Sequence, residues 1–269
     1  MAQELFLWDH PVSSYAQKVR IALREKKIPF KLETPRGIGN GDKAAVPSNF
    51  SEHNMRLEVP LLIDGDFKIT DSTIILEYLE DKYPETPLLP RSPRERARAR
   101  MIEEVCDSQY EALNWGVSEV TNFERAHGEQ AAKLHEQANH QVKQIQAWLT
   151  EQLGDAEWFG GERFGWADLC VWPMVNRSMF YDLGPLPGSA LRDWCERAMQ
   201  RDSVKATYEE YQAGNKLLKG AAGALEKGVM RREYRDHRLE WMIKSGGVDI
   251  VVEGLKKRNI RFSWPDPME

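Results

Sequence analysis

The segment His10-Pro11-Val12-Ser13-Ser14 places two hydroxyl groups where a predicted strand gives way to a predicted helix. The first backbone N–H groups of a helix have no partner inside the helix, and the helix dipole adds partial positive charge there. Such a position stabilises an anion and lowers the pKa of a thiol bound against it. Ser13 or Ser14 could therefore help to hold a ligand thiolate, although either hydroxyl could also serve only as a helix N-cap.

Two further segments suit a ligand with peptide and amino acid parts. Val59-Pro60 precedes a predicted strand, and a proline at the entry of a sheet is typical of an edge or a cis turn. A cis bond would leave the backbone groups of Val59 free to pair with an extended ligand. Asp71-Ser72 opens a predicted helix, where it offers a carboxylate for an ammonium, and a hydroxyl with N–H groups for a carboxylate. Taken alone, Asp71 is also a common type of helix cap.

The elements that must position these residues alternate between strand and helix signals from residue 4 to residue 83. The pattern predicts strands over 4–8 and 28–33, a helix from Ser13 or Ser14 to 27, a loop over 34–50, a hairpin of 59–63 and 67–70, and a helix over 73–83. The hairpin is expected to turn at Asp64-Gly65, because that pair tolerates the positive backbone angles of a tight turn. This order of elements is the one that the thioredoxin-like fold uses.

Strand signals vanish after residue 85. Residues 85–93, with three prolines, are a predicted linker, and the patterns beyond predict helices over 93–123, 129–153, 167–182 and 190–199. The fold class is therefore α/β plus all-α, with an α/β domain over 1–84, an all-helical domain over 94–213 and a helical extension over 214–269. The extension is expected to form one or two helices, within 225–244 and 248–258. Its apolar residues are expected to pack onto the helical domain: Leu239, Trp241, Met242, Ile243, Val248, Ile250, Val251 and Leu255.

Four stretches resemble the cytosolic glutathione S-transferase family, across residues 3–210: HPVSSYAQKVRIALREKKIPF, VPLLIDGDFKITDSTIILEYLEDKYPE, ERFGWADLCVWP and LRDWCERAMQRDSVKATY. The resemblance implies a thioredoxin-like glutathione-binding domain followed by an all-helical acceptor-binding domain. In serine-type members, the residue that activates glutathione lies six positions before the valine of a Val-Arg pair. Counting back from Val19 gives Ser13, with Ser14 as the alternative if the register is shifted by one residue.

The same resemblance implies how glutathione would bind. Val59, before a cis Pro60, would hold the cysteinyl backbone, while Asp71 and Ser72 would bind the γ-glutamyl group. The Ser13 hydroxyl would donate a hydrogen bond to the sulfur and so favour the thiolate, which attacks an electrophilic carbon. The implied partners are glutathione as co-substrate and a small hydrophobic electrophile, with no metal.

The chain departs from the family pattern around this site. Glu58 stands where members commonly carry Lys or Gln, so the positive charge for the glycyl carboxylate would have to come from Arg56, His53 or Lys43. Asp71 replaces the more usual Glu, which shortens its reach to the ammonium by one methylene.

A second departure concerns a helix cap in the helical domain. Gly165 replaces the Ser or Thr of the family's Ser/Thr-x-x-Asp cap, whose last residue is Asp168. On the capping scale this loss amounts to only a few tenths of a kcal/mol. Asp168 is therefore expected to be structural and not catalytic.

The acceptor site is expected between the two domains, lined by the long helix that follows the linker. The candidate lining residues are Tyr110, Asn114 and Trp115, with Met179 or Tyr181 from a later helix. Each of these side chains could equally belong to the core, because aromatic residues fill cores as well as pockets. The resemblance also implies a homodimer, in which the first domain of one chain packs on the helical domain of the other.

Composition narrows the remaining function classes. The net charge of -5 and pI of 5.8 argue against nucleic acid as a partner, although residues 219–269 carry 11 Lys and Arg against 8 Asp and Glu. No apolar run is long enough for a membrane span and the first residues do not resemble a signal peptide, so the expected localisation is cytoplasmic. The three cysteines, Cys106, Cys170 and Cys195, are too widely spaced to predict a disulfide scaffold or a zinc site.

The sequence argues against two of four alternatives to the transferase and leaves the other two open. A serine hydrolase would use His10 with Ser13, but the chain has no Gly-x-Ser-x-Gly elbow. A thioredoxin-like redox enzyme would need a cysteine at residues 13–16, where there is none. A β-etherase-like enzyme, in which glutathione displaces an aryloxide from an aryl ether, is suggested by the segment TDSTIILEYLED. A non-catalytic glutathione-binding or regulatory protein is suggested by Glu58 and Asp71.

Overall fold

The N-terminal domain is a four-stranded mixed sheet covered by helices. The computed structural model describes residues 4–38, 46–52, 54, 56–218, 221–227 and 237–257. The elements of this domain are β1 (Leu5–Trp8), α1 (Ser14–Glu25), β2 (Phe30–Glu33), α2 (Ser48–Ser51), β3 (Leu61–Asp64), β4 (Phe67–Thr70) and α3 (Ser72–Lys82). The strand order is β2-β1-β3-β4, with β1 parallel to β2, and with β1–β3 and β3–β4 antiparallel. The α/β unit predicted from the sequence is confirmed.

The hairpin turn is displaced by one residue from its predicted position. Asp64 is paired with Phe67 and is the last residue of β3, so the two-residue loop consists of Gly65 and Asp66. Gly65 has a φ of 67°, which glycine adopts without a steric penalty. The predicted Asp64-Gly65 turn is therefore wrong by one residue. Gly65 alone supplies the left-handed backbone, so Asp64 can remain in the strand.

The helical domain follows at Pro93. Its elements are α4 (Pro93–Val105), a π-helical turn (Cys106–Tyr110), α5 (Glu111–Thr121), α6 (Gly128–Leu153), α7 (Trp166–Phe180), α8 (Ala190–Ala198) and α9 (Asp202–Leu217). The four predicted helices are present, and the first is divided by the π-helical turn. Within this turn the backbone carbonyl of Asp107 accepts a hydrogen bond of 2.7 Å from the Tyr15 hydroxyl of α1.

Helix α9 was not predicted as a separate element. Its buried side chains recur at helical spacing, but three of the five are polar and so give little apolar periodicity: Ser203, Val204, Thr207, Tyr211 and Asn215. The helix continues through Gly214 to Leu217, so the predicted start of the extension at residue 214 falls inside α9.

The extension contains α10 (Ala221–Glu226), α11 (His237–Lys244) and α12 (Val248–Lys256). The expectation that its apolar residues pack onto the helical domain is wrong for most of those named. Trp241 and Ile250 are 66% and 67% exposed, and Ile243, Val248 and Leu255 are also exposed, while Leu239, Met242 and Val251 are half-buried. The reason is that α11 and α12 pack against each other, and two short helices can cover only one side of each other.

One hydrophobic core runs through both domains. It extends from Leu7 and Leu23 of the N-terminal domain to Ile102, Trp172 and other side chains of the helical domain. The other face of the sheet carries a smaller cluster of Trp8, Val46, Phe50 and Leu61. Helix α1 forms the seam between the domains, because it packs on α3 on one side and on α7 and α9 on the other. Among the described helices, none is both long and apolar enough to cross a membrane.

The start of α7 is held by Asp168 and by a close backbone contact at Gly165. Asp168 accepts hydrogen bonds from Gly165 N at 2.9 Å, Phe159 N at 3.1 Å and Trp194 Nε1 at 2.8 Å. The next residue, Trp166, donates its N–H to the Leu88 carbonyl of the linker at 2.8 Å. A Cβ at position 165 would lie 2.7 Å from that carbonyl oxygen. Glycine is thus required by the approach of the linker, a reason that the capping scale does not contain.

Restoring the family's hydroxyl with Gly165→Ser is expected to destabilise the chain by about 1–3 kcal/mol, because the new Cβ overpacks against fixed backbone. Urea unfolding measures this change. Gly116→Ser is the matched control, since a Cβ at position 116 in α5 meets nothing within 4 Å. We expect that variant to be unchanged or slightly more stable, by up to about 0.5 kcal/mol. A Gly165→Ser protein as stable as the parent would contradict the role given to the Leu88 contact.

Candidate functional site

The start of α1 exposes one of its two serines. Ser13 is the N-cap: its N–H donates to the His10 carbonyl at 2.9 Å and its Oγ accepts from Ala16 N at 3.3 Å. The Ser13 side chain is half-buried, and its hydroxyl proton is not used by the bond to Ala16. Ser14 is buried at 2% exposure, and within the described part of the chain its Oγ has no hydrogen-bond partner. A thiolate can therefore approach the hydroxyl of Ser13 more readily than that of Ser14.

His10 is arranged as a structural residue of the same loop. Its Nδ1 accepts a hydrogen bond of 3.3 Å from Val12 N. Burial, followed by the nearby Arg20 guanidinium, lowers the pKa of His10, so the ring is neutral at pH 7 and carries its proton on Nε2. The Nδ1 atom is thus occupied by backbone and does not act as a base towards Ser13.

The turn before β3 contains the predicted cis bond, between Val59 and Pro60. The side chain of Asn54 fixes the turn, because its Nδ2 donates to the Glu58 carbonyl and its Oδ1 accepts from Glu58 N at 3.3 Å. Pro60 is buried, whereas Val59 is half-buried. The backbone of Val59 therefore lies at an ordered corner of the sheet, as a peptide-binding position requires.

The charges beside this turn are partly paired. Arg56 Nε lies 3.0 Å from Glu58 Oε2. The Arg56 side chain is exposed, and its guanidinium offsets the Glu58 charge that the sequence places unfavourably for a carboxylate ligand. His53 and Lys43, the other two candidates for the glycyl carboxylate, lie outside the described residues and stay predictions.

The start of α3 presents a carboxylate that is also a helix cap. Asp71 has a φ of 75° and accepts from Thr73 N at 2.9 Å and Ile74 N at 3.3 Å, and both bonds end on Oδ1. Among the contacts of the described residues, Oδ2 accepts no hydrogen bond, so it is available for an ammonium. Ser72 follows as the first residue of α3 and is buried at 4% exposure. Capping and ligand binding are thus compatible at Asp71.

Of the three acceptor residues predicted on the helix after the linker, two lie in the core. Tyr110 and Asn114 are both 0% exposed. The Tyr110 hydroxyl accepts from Gln146 Nε2 at 2.8 Å, and Asn114 joins α5 to α7 by donating to the Met174 carbonyl at 3.0 Å. These side chains tie helices together and offer no surface to an acceptor, which corrects the prediction for both residues. Trp115 is half-buried and stays a candidate.

Helix α9 contacts the loop that carries Ser13. A Cβ at Gly214 would lie 2.8 Å from Pro11 Cγ and 3.0 Å from Val12 Cγ1. The helix that leads into the extension therefore forms one wall beside the start of α1. A cavity of about 220 Å³ lies elsewhere, between α5 and α6. It is lined by residues of the helical domain, among them Leu113, Val117, Leu134 and Ala138.

The sequence interpretation missed a buried ionic cluster next to the site. Lys18 Nζ lies 2.6 Å from Glu103 Oε1 and 2.5 Å from Asp107 Oδ2, and the Lys18 side chain is completely buried. Burial raises the pKa of Asp107 to about 6, although Lys18 opposes this shift. The available signal was a lysine that directly precedes Val19 on a helix with many buried positions, but one sequence does not show which carboxylates it meets.

None of the three cysteines is a reactive thiol, although Cys106 and Cys170 lie within electrostatic reach of the Lys18 cluster. Cys106, Cys170 and Cys195 are free and buried. Burial raises the pKa of all three thiols, and that of Cys195 to about 12, so they are protonated at neutral pH. Over the described ranges, no group of His, Cys, Asp and Glu side chains is arranged to hold a metal ion.

Comparison with known proteins agrees with this architecture. A family model described as glutathione S-transferase, N-terminal domain, matches residues 7–87, and one described as glutathione S-transferase, C-terminal domain, matches residues 132–197. Glutathione S-transferase U25 of Arabidopsis thaliana is 30% identical over 213 residues, which cover 76% of this chain and 88% of the relative. Stringent starvation protein A homolog of Haemophilus ducreyi is 25% identical over 193 residues, which cover 70% of this chain and 82% of the relative.

A solved structure extends the similarity to three dimensions. Rice GST1, crystallised in complex with glutathione, superposes with a TM-score of 0.65 at 27% identity, and the match covers 80% of this chain and 98% of the rice protein. Both halves of the chain therefore match the same family, in sequence and in fold. The chain belongs to the glutathione S-transferase family.

Proposed function

We propose that this chain transfers glutathione to a small hydrophobic electrophile, with the glutathione sulfur held as a thiolate by Ser13. The observation that carries the proposal is the position of Ser13: its hydroxyl is the N-cap of α1, half-buried, and retains a proton to donate. Hydrogen bonding to the charged form and the positive end of the helix both favour the thiolate. A fall of two units from a free thiol pKa of roughly 8.5 corresponds to about 2.7 kcal/mol and makes the thiolate the major species at pH 7.

The rest of the tripeptide would lie along the groups already described. The backbone of Val59 would pair with the cysteinyl residue, Asp71 Oδ2 would accept the γ-glutamyl ammonium, and Ser72 would donate to the γ-glutamyl carboxylate. Arg56 would meet the glycyl carboxylate with its charge reduced by Glu58. We expect the glycyl end to contribute least to affinity for this reason.

In the reaction, the thiol proton leaves to solvent and the sulfur lone pair forms the new carbon–sulfur bond. The electrophile either releases its leaving group with the bonding electrons or takes up a proton after addition. Trp115 of α5 and the α9 wall at Gly214 are the proposed sides of the acceptor site. We also propose that the chain acts as a homodimer in the cytoplasm, as the family resemblance implies.

A non-catalytic glutathione-binding protein is the second candidate. Glu58 beside the cis turn favours it, since this carboxylate is unfavourable for the carboxylate end of the co-substrate. Retention on immobilised glutathione, elution with free glutathione, and a rate assay with chlorodinitrobenzene separate the two functions. Retention with turnover is expected, retention without turnover would favour the binding role, and absence of both would exclude the two together.

Asp71→Asn is expected to weaken glutathione affinity about 10-fold or more, because a charged hydrogen bond to the ammonium is worth about 1.5–3 kcal/mol. Asn is as good an N-cap as Asp, so the stability of α3 should be retained. Calorimetric titration with glutathione measures the affinity. Asp66→Asn, in the exposed hairpin loop of the same domain, is the matched control and should bind as the parent does. Equal affinity of the two variants would remove Asp71 from the proposed site.

A further inference from the structure

The Glu103 carboxylate on α4 receives hydrogen bonds from three other helices. Lys18 Nζ of α1 lies 2.6 Å from Oε1, and Thr73 Oγ1 of α3 donates to the same oxygen at 2.7 Å. Trp166 Nε1 of α7 donates to Oε2 at 2.5 Å. Glu103, Lys18 and Trp166 are all buried. A single carboxylate of the helical domain thus joins α1 and α3 of the N-terminal domain.

These two helices begin at the two ends of the proposed glutathione site. Lys18 lies in the second turn of α1, whose N-cap is Ser13. Thr73 is the second residue of α3, and its backbone N–H donates to Asp71 Oδ1 at 2.9 Å. Thr73 is therefore fixed to Asp71 through its backbone and to Glu103 through its side chain. The linkage therefore connects α1, which begins after Ser13, with the residue that is bonded to Asp71.

The Glu103 carboxylate is charged and accepts hydrogen bonds from donors that have few other partners. Burial acts to raise the pKa of Glu103, but Lys18, Thr73 and Trp166 outweigh it and lower that pKa, so Glu103 is ionised at neutral pH. The neighbouring Asp107 shares Lys18, so the lysine would keep a partner if Glu103 were lost. The hydroxyl of Thr73 and the indole N–H of Trp166 would lose their acceptor. The side-chain hydrogen bond of Thr73 to the helical domain thus depends on Glu103, while the ion pair of Glu77 with Arg100 holds α3 to α4 further along the helix.

We propose that Glu103 is a positioning residue for glutathione: without touching the tripeptide, it holds the start of α3 in register with the start of α1. The inference rests on the proposed function, since it concerns the same ligand. Its consequence is that a residue of the acceptor-binding domain sets the affinity of the N-terminal domain for glutathione.

Glu103→Ala tests the proposal against a matched control at the other end of α1. Glu25 also forms an ion pair between the domains, with Arg201 Nε at 2.9 Å and Nη2 at 2.6 Å, but it is the last residue of α1. We expect Glu103→Ala to weaken calorimetric glutathione binding about 10-fold, since misplacement of a binding group by an ångström is costly. Glu25→Ala should lose stability in urea but bind glutathione within about twofold of the parent, because Ser13 and Asp71 stay in place.

Thr73→Val separates positioning from loss of folding. It removes only the side-chain bond to Glu103 and leaves the backbone bond to Asp71. We expect a higher KM for glutathione with kcat at saturation unchanged, and an unchanged pKa on the acid side of the kcat profile, because Ser13 is not displaced. Equal affinity of the Thr73→Val protein and the parent, or equal losses in Glu103→Ala and Glu25→Ala, would overturn the proposal. A parent chain that does not bind glutathione would instead overturn the proposed function together with this inference.

Discussion

Replacing Ser13 by alanine is expected to lower kcat/KM for glutathione with chlorodinitrobenzene about 100-fold at pH 6.5, because a hydrogen bond to a charged sulfur is worth about 1.5–3 kcal/mol. The loss should shrink to a few fold near pH 9, where a thiol of ordinary pKa ionises without help. The expected signature is therefore a rate profile whose acid limb moves to higher pH. A variant that reacts as fast as the parent at pH 6.5 would remove Ser13 from the mechanism.

Two further variants separate the chemistry of Ser13 from its role as a cap. Ser13→Ala should also cost about 1 kcal/mol in stability, whereas Ser13→Gly costs only a few tenths because glycine is an acceptable N-cap. If the hydroxyl acts on the sulfur, kcat/KM should fall by the same factor in both variants. Ser14→Ala removes a buried hydroxyl without a described partner, so its rate and stability should stay close to those of the parent. A large loss in Ser14→Ala, with Ser13→Ala unaffected, would reassign the thiolate contact to Ser14.

Asp168→Ala is expected to destabilise the chain by about 4 kcal/mol, the largest stability change of any variant considered. Three buried donors, Phe159 N, Gly165 N and Trp194 Nε1, would lose their acceptor, and each such loss costs about 1–3 kcal/mol. The midpoint of urea unfolding gives the change. The carboxylate faces no proposed ligand group, so glutathione affinity should be unchanged at temperatures where the variant is folded.

A carboxylate at the same helical position elsewhere is the control for Asp168. Glu95 is the third residue of α4 and is exposed at its surface, with Ser92 as the N-cap. Glu95→Ala should change the free energy of unfolding by less than about 0.5 kcal/mol, since only an exposed helix-dipole contact is removed. Similar losses in the two variants would mean that the contacts of Asp168 to Phe159 and Trp194 contribute little.

Local signals predicted most of the N-terminal domain. Alternating strands, the serine before α1, the proline of the cis turn and Asp71 before α3 each act through backbone geometry within a few residues, so they can be interpreted from sequence. The predicted strands and helices of this domain are present in the structure. A local pattern predicts the exact position of a turn less well, as the one-residue displacement of the hairpin turn at Gly65 shows.

Features that depend on distant parts of the chain were not predicted. The ion pair of Lys18 with Glu103 joins residues from two domains, and no periodicity indicates such a partner. Tyr110 and Asn114 lie on the predicted helix, but their side chains face the core. The π-helical turn changes the rotation of the helix about its axis, and with it the side that each residue faces. On a capping scale, glycine at position 165 is only slightly less favourable than serine. The close approach of the Leu88 carbonyl nevertheless makes glycine necessary there. Three-dimensional packing, and not local propensity, decides each of these.

Gly214 has a consequence for attempts to redirect the acceptor range by directed evolution. Its missing side chain allows α9 to rest on Pro11 and Val12, directly before Ser13 in the chain. A library that diversifies α9 to reshape the proposed acceptor site would, at this one position, also displace the loop that carries Ser13, the residue proposed to stabilise the thiolate. A substitution at residue 214 would therefore change the acceptor range and the reactivity of the bound sulfur together. A useful library would keep glycine at this position.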